Sequence, residues 1–198
     1  GKDGFMKLKK QFDDFYKEIK IDREQEGVEL TLKRNILQND IENKLPSILE
    51  KQGIKISKSD LDIFDQGSYK LNTTIVVVPY DRDVAIIIPL DKTTYTDTRA
   101  IKKYVKEALD HNNRSIDIKE PCVTVKYVEN GEEVMHIDLP VYALHEGKVY
   151  LARGSEFATE GYYFWEEADP KGLNDAMLNC ITGKDQLRRI IRYLKKWK

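Results

Sequence analysis

Cysteine is scarce in this sequence, neither sign of charge is in excess, and no apolar run approaches the length of a membrane span. The two cysteines, Cys122 and Cys180, lie far apart in apolar surroundings and match no metal or redox spacing. That excludes a disulfide-stapled scaffold and a zinc module, and both thiols read as reduced and packed. Lys and Arg number 33 against 34 Asp and Glu, a net charge of −1. A protein built to grip duplex nucleic acid needs a basic excess, because phosphate neutralisation dominates that affinity, so a stable DNA or RNA complex is not expected. The first segment mixes Lys, Asp and Phe at helical spacing and is no signal peptide, so neither a membrane partner nor export is expected, and the cytoplasm is the expected location. There is no internal repeat and no low-complexity linker.

What the sequence does have is a trio of aspartates. Asp81 and Asp83 stand in Tyr80-Asp81-Arg82-Asp83-Val84, inside an apolar stretch that runs from Ile75 to Val78 and resumes from Val84 to Leu90. In a strand, alternate side chains share a face, so the two carboxylates point the same way, about 7 Å apart along the backbone. Carboxylates this close in apolar surroundings repel one another and lose hydration unless a cation offsets the cost. One divalent cation, or two, fits between them; the alternative is a solvated strand end after a turn. Asp138 follows in His136-Ile137-Asp138-Leu139-Pro140. Upstream, Gly67-Ser68 comes after a short run from Leu61 to Phe64. The glycine lets the backbone approach a phosphate, and Ser68 supplies a hydroxyl and an amide.

Along the chain, Phe5, Leu8, Phe12, Phe15 and Ile19 predict an amphipathic helix packing one face. A second, longer helix is predicted from about Asp22 to Gln52, with Pro46 kinking it or breaking its ladder. A strand is expected over Asp60–Phe64 and another over Arg82–Pro89, apolar on both faces and so covered on both. Asp97 is expected to cap a helix carrying Ile101, Tyr104, Val105, Ala108 and Leu109. Val123–Val128 pairs with Val134–Val141 across a turn at Glu129-Asn130-Gly131-Glu132, and a second hairpin turns at His145-Glu146-Gly147-Lys148. Alternation puts His136 on the Asp138 face, where it reads as packing or as a contact to ribose. Arg153 is read as reaching a phosphate or as an exposed loop residue. Of Tyr162, Tyr163, Phe164 and Trp165, one ring is a candidate to stack on a base, the others core or lid packing. A last helix runs from Asp185, with Arg188, Arg192 and Lys195 on one face.

A strand, Gly-Ser, a twelve-residue spacer and Asp-x-Asp on a second apolar strand resemble the polymerase-β-like nucleotidyltransferases. Gln66-Gly67-Ser68-Tyr69, Thr74, Asp81-Arg82-Asp83-Val84, Ile137-Asp138-Leu139-Pro140-Val141, Tyr150 to Gly154, Trp165, Asp169 to Leu173 and Leu194 to Trp197 are similar to the CD-NTases, bacterial cyclic-oligonucleotide synthases of antiphage (CBASS) signalling. The resemblance implies an α+β fold: a nucleotidyltransferase core over 1–183, with a mixed or antiparallel sheet flanked by helices and a long N-terminal spine helix. It further implies that 184–198 begins a second, helical lobe, so that the sequence reads as a truncated piece. By the same resemblance, Asp81, Asp83 and Asp138 are catalytic and bind Mg²⁺ or Mn²⁺. Gly67 and Ser68 hold the β/γ phosphates of a nucleoside triphosphate (ATP, GTP or another), and Lys195 and Arg192 reach them from the other lobe. A phosphodiester forms, pyrophosphate leaves, and a second round closes a ring. With the balanced charge, mononucleotides are the expected phosphate ligands; a regulatory protein partner is left open. Arg82 departs from the apolar residue that many relatives carry there. An enzyme that adenylylates or tails a macromolecule, and a catalytically silent scaffold, are the competing readings.

Overall fold

A computed structural model describes residues 2–66 and 81–171. Its elements are α1 (Lys2–Glu50), a 3₁₀ turn (Lys58–Asp60), β1 (Asp62–Gln66), β2 (Asp81–Pro89), α2 (Thr98–Leu109), β3 (Ser115–Ile118), β4 (Val123–Glu129), β5 (Glu132–Leu139), β6 (Val141–His145), β7 (Lys148–Arg153) and β8 (Phe164–Ala168).

β2 is the strand around which these are arranged, for the reason its sequence predicts: a run apolar on both faces needs cover on both. Val84, Ile86 and Ile88 face the helical layer, in one core with Leu37, Ile41 and Leu45 of α1 and Ile101 and Val105 of α2. Ala85 and Ile87 face the other way and pack with Tyr142 and Leu151. Along one edge of β2, β1 runs antiparallel. Along the other edge β5 pairs with residues 81–83 and β6 with residues 86–89, both parallel. The strand order is β3-β4-β5-β2-β6-β7-β8, with β1 off this path beside β2. The fold is therefore α+β with a mixed sheet, as expected.

Four expectations need correction. The two N-terminal helices are one, unbroken through Pro46. That proline stands in the last stretch of α1, between the fully buried Leu45 and Leu49, whose packing outweighs one lost backbone hydrogen bond. Gly53, at φ +85°, ends the helix in a left-handed cap. The second correction concerns the start of α1. Phe5, Leu8 and Phe12 are 70%, 53% and 55% exposed rather than packed; among the described side chains, which do not include that of Ile19, the buried face begins at Leu30 and continues through Leu37, Ile41, Leu45 and Leu49. Third, the expected strand from Val134 to Val141 is divided at Pro140. Lacking an N–H, Pro140 cannot donate to a ladder, and its carbonyl accepts from Ile86 N at 3.0 Å. On one side of it the chain pairs with β4, on the other with β7. The first strand lies at Asp62–Gln66, two residues later than expected, because Ser57 and Asp60 cap a 3₁₀ turn before it.

The turn chemistry is as expected. Asn130 and Gly131 have φ of 52° and 78°, and Glu146 and Gly147 of 49° and 76°. Asp97 caps α2, its carboxylate accepting from Arg99 N at 3.0 Å. Trp165 packs against the core and donates to the Tyr95 carbonyl at 2.9 Å, while Tyr162 and Phe164 are 72% and 45% exposed. Arg153 is no loose loop arginine: it ends β7 and grips Glu120 through two hydrogen bonds of 2.6 and 2.8 Å.

Lys102 is the least expected member of the core, a lysine with no exposure at all. Its ammonium donates to the carbonyls of Lys119, Glu120 and Gly154 at 3.0, 2.7 and 2.8 Å, tying α2 to the β3–β4 connection and to the end of β7. Lys102→Met keeps the volume but strips three carbonyls of a donor. It is expected to lower stability by about 3 kcal/mol, read as a lower urea midpoint.

Candidate active site

The parallel ladder between β2 and β5 sets Asp81 opposite His136, Arg82 opposite Ile137, and Asp83 opposite Asp138. Opposed residues share a face and alternate residues share a face, so Asp81, Asp83, His136 and Asp138 form a two-by-two block on one side of the sheet. Arg82 and Ile137 fall on the helical side. All three predicted carboxylate positions are thus brought together. Asp81 is placed by its backbone; Asp83 is 4% exposed and Asp138 fully buried. Gly67, Ser68, Arg192 and Lys195 lie outside the described residues, as does Cys180.

A buried carboxylate needs hydrogen bonds or a cation. Asp138 Oδ1 accepts from Thr124 Oγ1 at 2.6 Å, with Cys122 Sγ 3.9 Å away. Asp138 Oδ2 has no hydrogen-bond donor, but His136 Nε2 lies 3.3 Å from it, within ion-pair distance. On its other side the His136 ring meets Glu133, Nδ1 to Oε1, at 2.9 Å, and this hydrogen bond holds the Glu133 carboxyl below its ordinary pKa despite partial burial. Among the described residues no three His, Cys, Asp or Glu side chains gather closely enough to hold a metal ion. The oxygen donors suit a hard divalent cation, and the buried Asp138 oxygen without a donor is an atom such a cation would satisfy, so the residues present fit one.

Neighbouring side chains fix the block from both directions. Gln66, opposite Asp83 on β1, donates to the Pro170 carbonyl at 2.8 Å and to Tyr142 Oη at 3.3 Å. On the helical side, Arg82 grips Asp65 with Nε at 2.9 Å and Nη2 at 3.0 Å and donates to Thr31 Oγ1 at 2.9 Å. Arg34 of α1 reaches the same carboxylate at 3.1 Å. Arg82, the departure noted in the sequence, points away from the aspartates and anchors their strand to the spine helix.

Thr124 is the site residue that reading the sequence misses. Thr124→Val removes the hydroxyl that donates to Asp138 Oδ1 without changing shape and is expected to cost about 1–2 kcal/mol, while Thr124→Ser costs less. Chemical denaturation of the two variants side by side checks this.

The comparison with known proteins turns on the segment holding β1, β2 and β5. Residues 61–142 match the family described as cyclic GMP-AMP synthase DncV-like, nucleotidyltransferase domain. Over that segment the chain is similar to a DncV-like nucleotidyltransferase domain. Solved structures agree on the fold. A mutant of the di-nucleotide cyclase DncV of Vibrio cholerae is 17% identical, with a TM-score of 0.50 over 87% of this chain and 62% of that one. The CD-NTase CdnG of Bradyrhizobium diazoefficiens, solved in complex with GTP, is 13% identical, with a TM-score of 0.50 over 73% of this chain and 39% of that one. Escherichia coli DncV, solved in a 3′-deoxy GTP bound form, is 18% identical with a TM-score of 0.49, and this chain spans 54% of its length. No curated protein matches the chain in sequence. Among the described residues of the DncV-like chain, no helix is long and apolar enough to cross a membrane.

Proposed function

We propose that this DncV-like chain belongs to an enzyme that joins nucleoside triphosphates, ATP and GTP among them, into a cyclic di- or trinucleotide, the second messenger of an antiphage (CBASS) response in the bacterial cytoplasm. The observation that carries this reading is the placement of Asp81, Asp83 and Asp138 on one face of two adjacent parallel strands, beside a buried Asp138 oxygen without a donor. Mg²⁺, with Mn²⁺ as a substitute, would be held by these three carboxylates. A divalent ion in such a site supplies charge stabilisation to phosphoryl oxygens and makes an acceptor hydroxyl more acidic. Gly67 offers its backbone and Ser68 its hydroxyl and amide to the β/γ phosphates. Asp138, held by Thr124, assists in taking the proton from the attacking ribose hydroxyl. Pyrophosphate departs as the phosphodiester forms, and a repeat of the step on the linear product closes the ring. In this reading residues 1–183 are the nucleotidyltransferase core, and 184–198 opens a helical lobe from which Lys195 and Arg192 reach the triphosphate.

The test is to incubate the protein with labelled ATP, GTP, CTP and UTP and Mg²⁺ or Mn²⁺, treat with phosphatase, and search for a resistant cyclic product. A resistant product identifies the bases joined. A linear or macromolecule-linked label would replace this reading with that of an adenylylating or tailing enzyme.

A further inference from the structure

Arg82 lies between two of the aspartates in sequence, yet its side chain works on the helical side of the sheet. There it is 6% exposed, and its Nε and Nη2 grip the two oxygens of Asp65 at 2.9 and 3.0 Å. Asp65 stands opposite Val84 in the β1–β2 ladder, so Arg82 is its diagonal neighbour on the same face. Nη1 donates to Thr31 Oγ1 at 2.9 Å, and that hydroxyl is itself oriented by donating to the Gly27 carbonyl at 3.0 Å. Stability alone does not call for such an arrangement. Burying an ion pair costs desolvation, and an apolar residue of similar volume in such a place is often as stable or more so. Val84, Ile86 and Ile88 continue the same face of β2 as plain hydrophobic core. What a fork adds and an apolar contact lacks is direction. Two parallel N–H···O bonds fix both the distance and the angle between the strands they join, where packed methyl groups tolerate sliding.

We propose, resting on the reading that the carboxylates hold a divalent cation, that the Arg82–Asp65 fork is the positioning element of the site. Arg82 is the backbone link between Asp81 and Asp83, so a fixed guanidinium fixes the stretch of strand that carries both. The other end of the fork sits on β1, two residues before Gly67, and Arg34 joins α1 to the same carboxylate at 3.1 Å. One acid thereby ties together the strand of the aspartates, the strand leading toward the Gly-Ser pair and the spine helix. Asp83 and Asp138 stand opposite one another, nearly and fully buried, and their repulsion pushes β2 and β5 apart until a cation offsets it. The fork holds β2 against that push through β1 and α1, so the ligands are in place before the ion arrives. Arg82 and Asp65 touch neither ion nor nucleotide; they act through the strand.

Calorimetric titration of Mn²⁺ into the nucleotide-free protein, at a temperature where every variant is folded, tests both layers. The wild-type protein is expected to bind Mn²⁺ and Asp83→Ala to lose that binding. Arg82→Met fills the space without the fork and should bind Mn²⁺ about tenfold more weakly. Arg82→Lys keeps the charge but not the fork and should be weakened nearly as much. Leu49→Ala is the control. It opens a cavity at a fully buried position about 27 Å along α1 from Thr31, destabilises at least as much as Arg82→Met, and should bind Mn²⁺ as the wild type does. Binding that depends on Asp83 but is equally tight in Arg82→Met or Arg82→Lys would overturn the fork and leave the carboxylate site standing. Equal weakening in Leu49→Ala would overturn it too, since lost stability alone would then account for the effect. Mn²⁺ binding that is absent, or indifferent to Asp83→Ala, would overturn the metal site and the role of the fork with it. If Arg82→Met does not fold, Arg82→Lys decides.

Discussion

Asp83→Ala is expected to reduce cyclic product by about 10³-fold or more, with the protein still folded. Asp83 stands directly opposite Asp138 in the ladder, 4% exposed, so two carboxylates confront one another where water screens them little. In the proposed reading a bound cation offsets that repulsion and depends on both members. Two measurements follow from that. The phosphatase-resistant product should vanish, and the rise in melting temperature that Mg²⁺ or Mn²⁺ gives the wild-type protein should vanish with it, because a ligand that binds only the native state stabilises it in proportion to its occupancy. A variant that stays active, or that gains as much melting temperature from the metal as the wild type, would show that the chemistry does not depend on this carboxylate.

The second large effect concerns stability. Asp65→Ala is expected to lower folding stability by about 3 kcal/mol, and the melting temperature by about 6–12 °C for a chain of this size. Asp65 is the shared partner of two arginines whose side chains are only 6% and 11% exposed, Arg82 on β2 and Arg34 on α1. Removing the acid leaves two guanidinium groups in a poorly hydrated place. Arg82→Met should cost less, about 1–2 kcal/mol, because Asp65 keeps Arg34 and methionine fills the space. If the two variants proved equally harmful, Asp65 would not be the hub of the network. Asp65 also lies two residues before Gly67, so the melting curves belong beside a product assay.

Much of this was legible in the sequence. The individual elements followed from runs with distinct periods and the fold class from the resemblance, the hairpins from Asn-Gly and Glu-Gly, the start of α2 from Asp97, and the shared face of Asp81 and Asp83 from strand alternation alone. What escaped depends on details that local pattern does not encode. A bulge between Tyr127 and Val128 shifts the β4–β5 register by one residue. Without it Thr124 would sit opposite Ile137 and Asp138 would have no hydroxyl beside it. The sequence announces the turn, but a bulge is decided by packing along the whole hairpin. Arg82 stood out as a departure from the resembled pattern, and its partner Asp65 is brought to it by the β1–β2 pairing, which the local sequence does not show. The helix α1 runs on across the division expected between Ile19 and Asp22, and the local preference of Pro46 to break it is overruled by its buried neighbours. His136 lies on the face that alternation predicts, but its hydrogen bond to Glu133 is not legible in the sequence.

The pairing of β2 with β5 bears also on the order in which the protein folds. The β4–β5 hairpin closes across a two-residue turn, and such local contacts form within microseconds in favourable sequences. The parallel contact that sets Asp83 beside Asp138 joins residues more than fifty positions apart and must first close that loop, at an entropic cost that nothing local repays. The carboxylate cluster should therefore be among the last parts of the chain to assemble. In the proposed reading, a partly unfolded chain in which Thr124 already meets Asp138 would still hold no complete site and would consume no nucleotides before the sheet is whole.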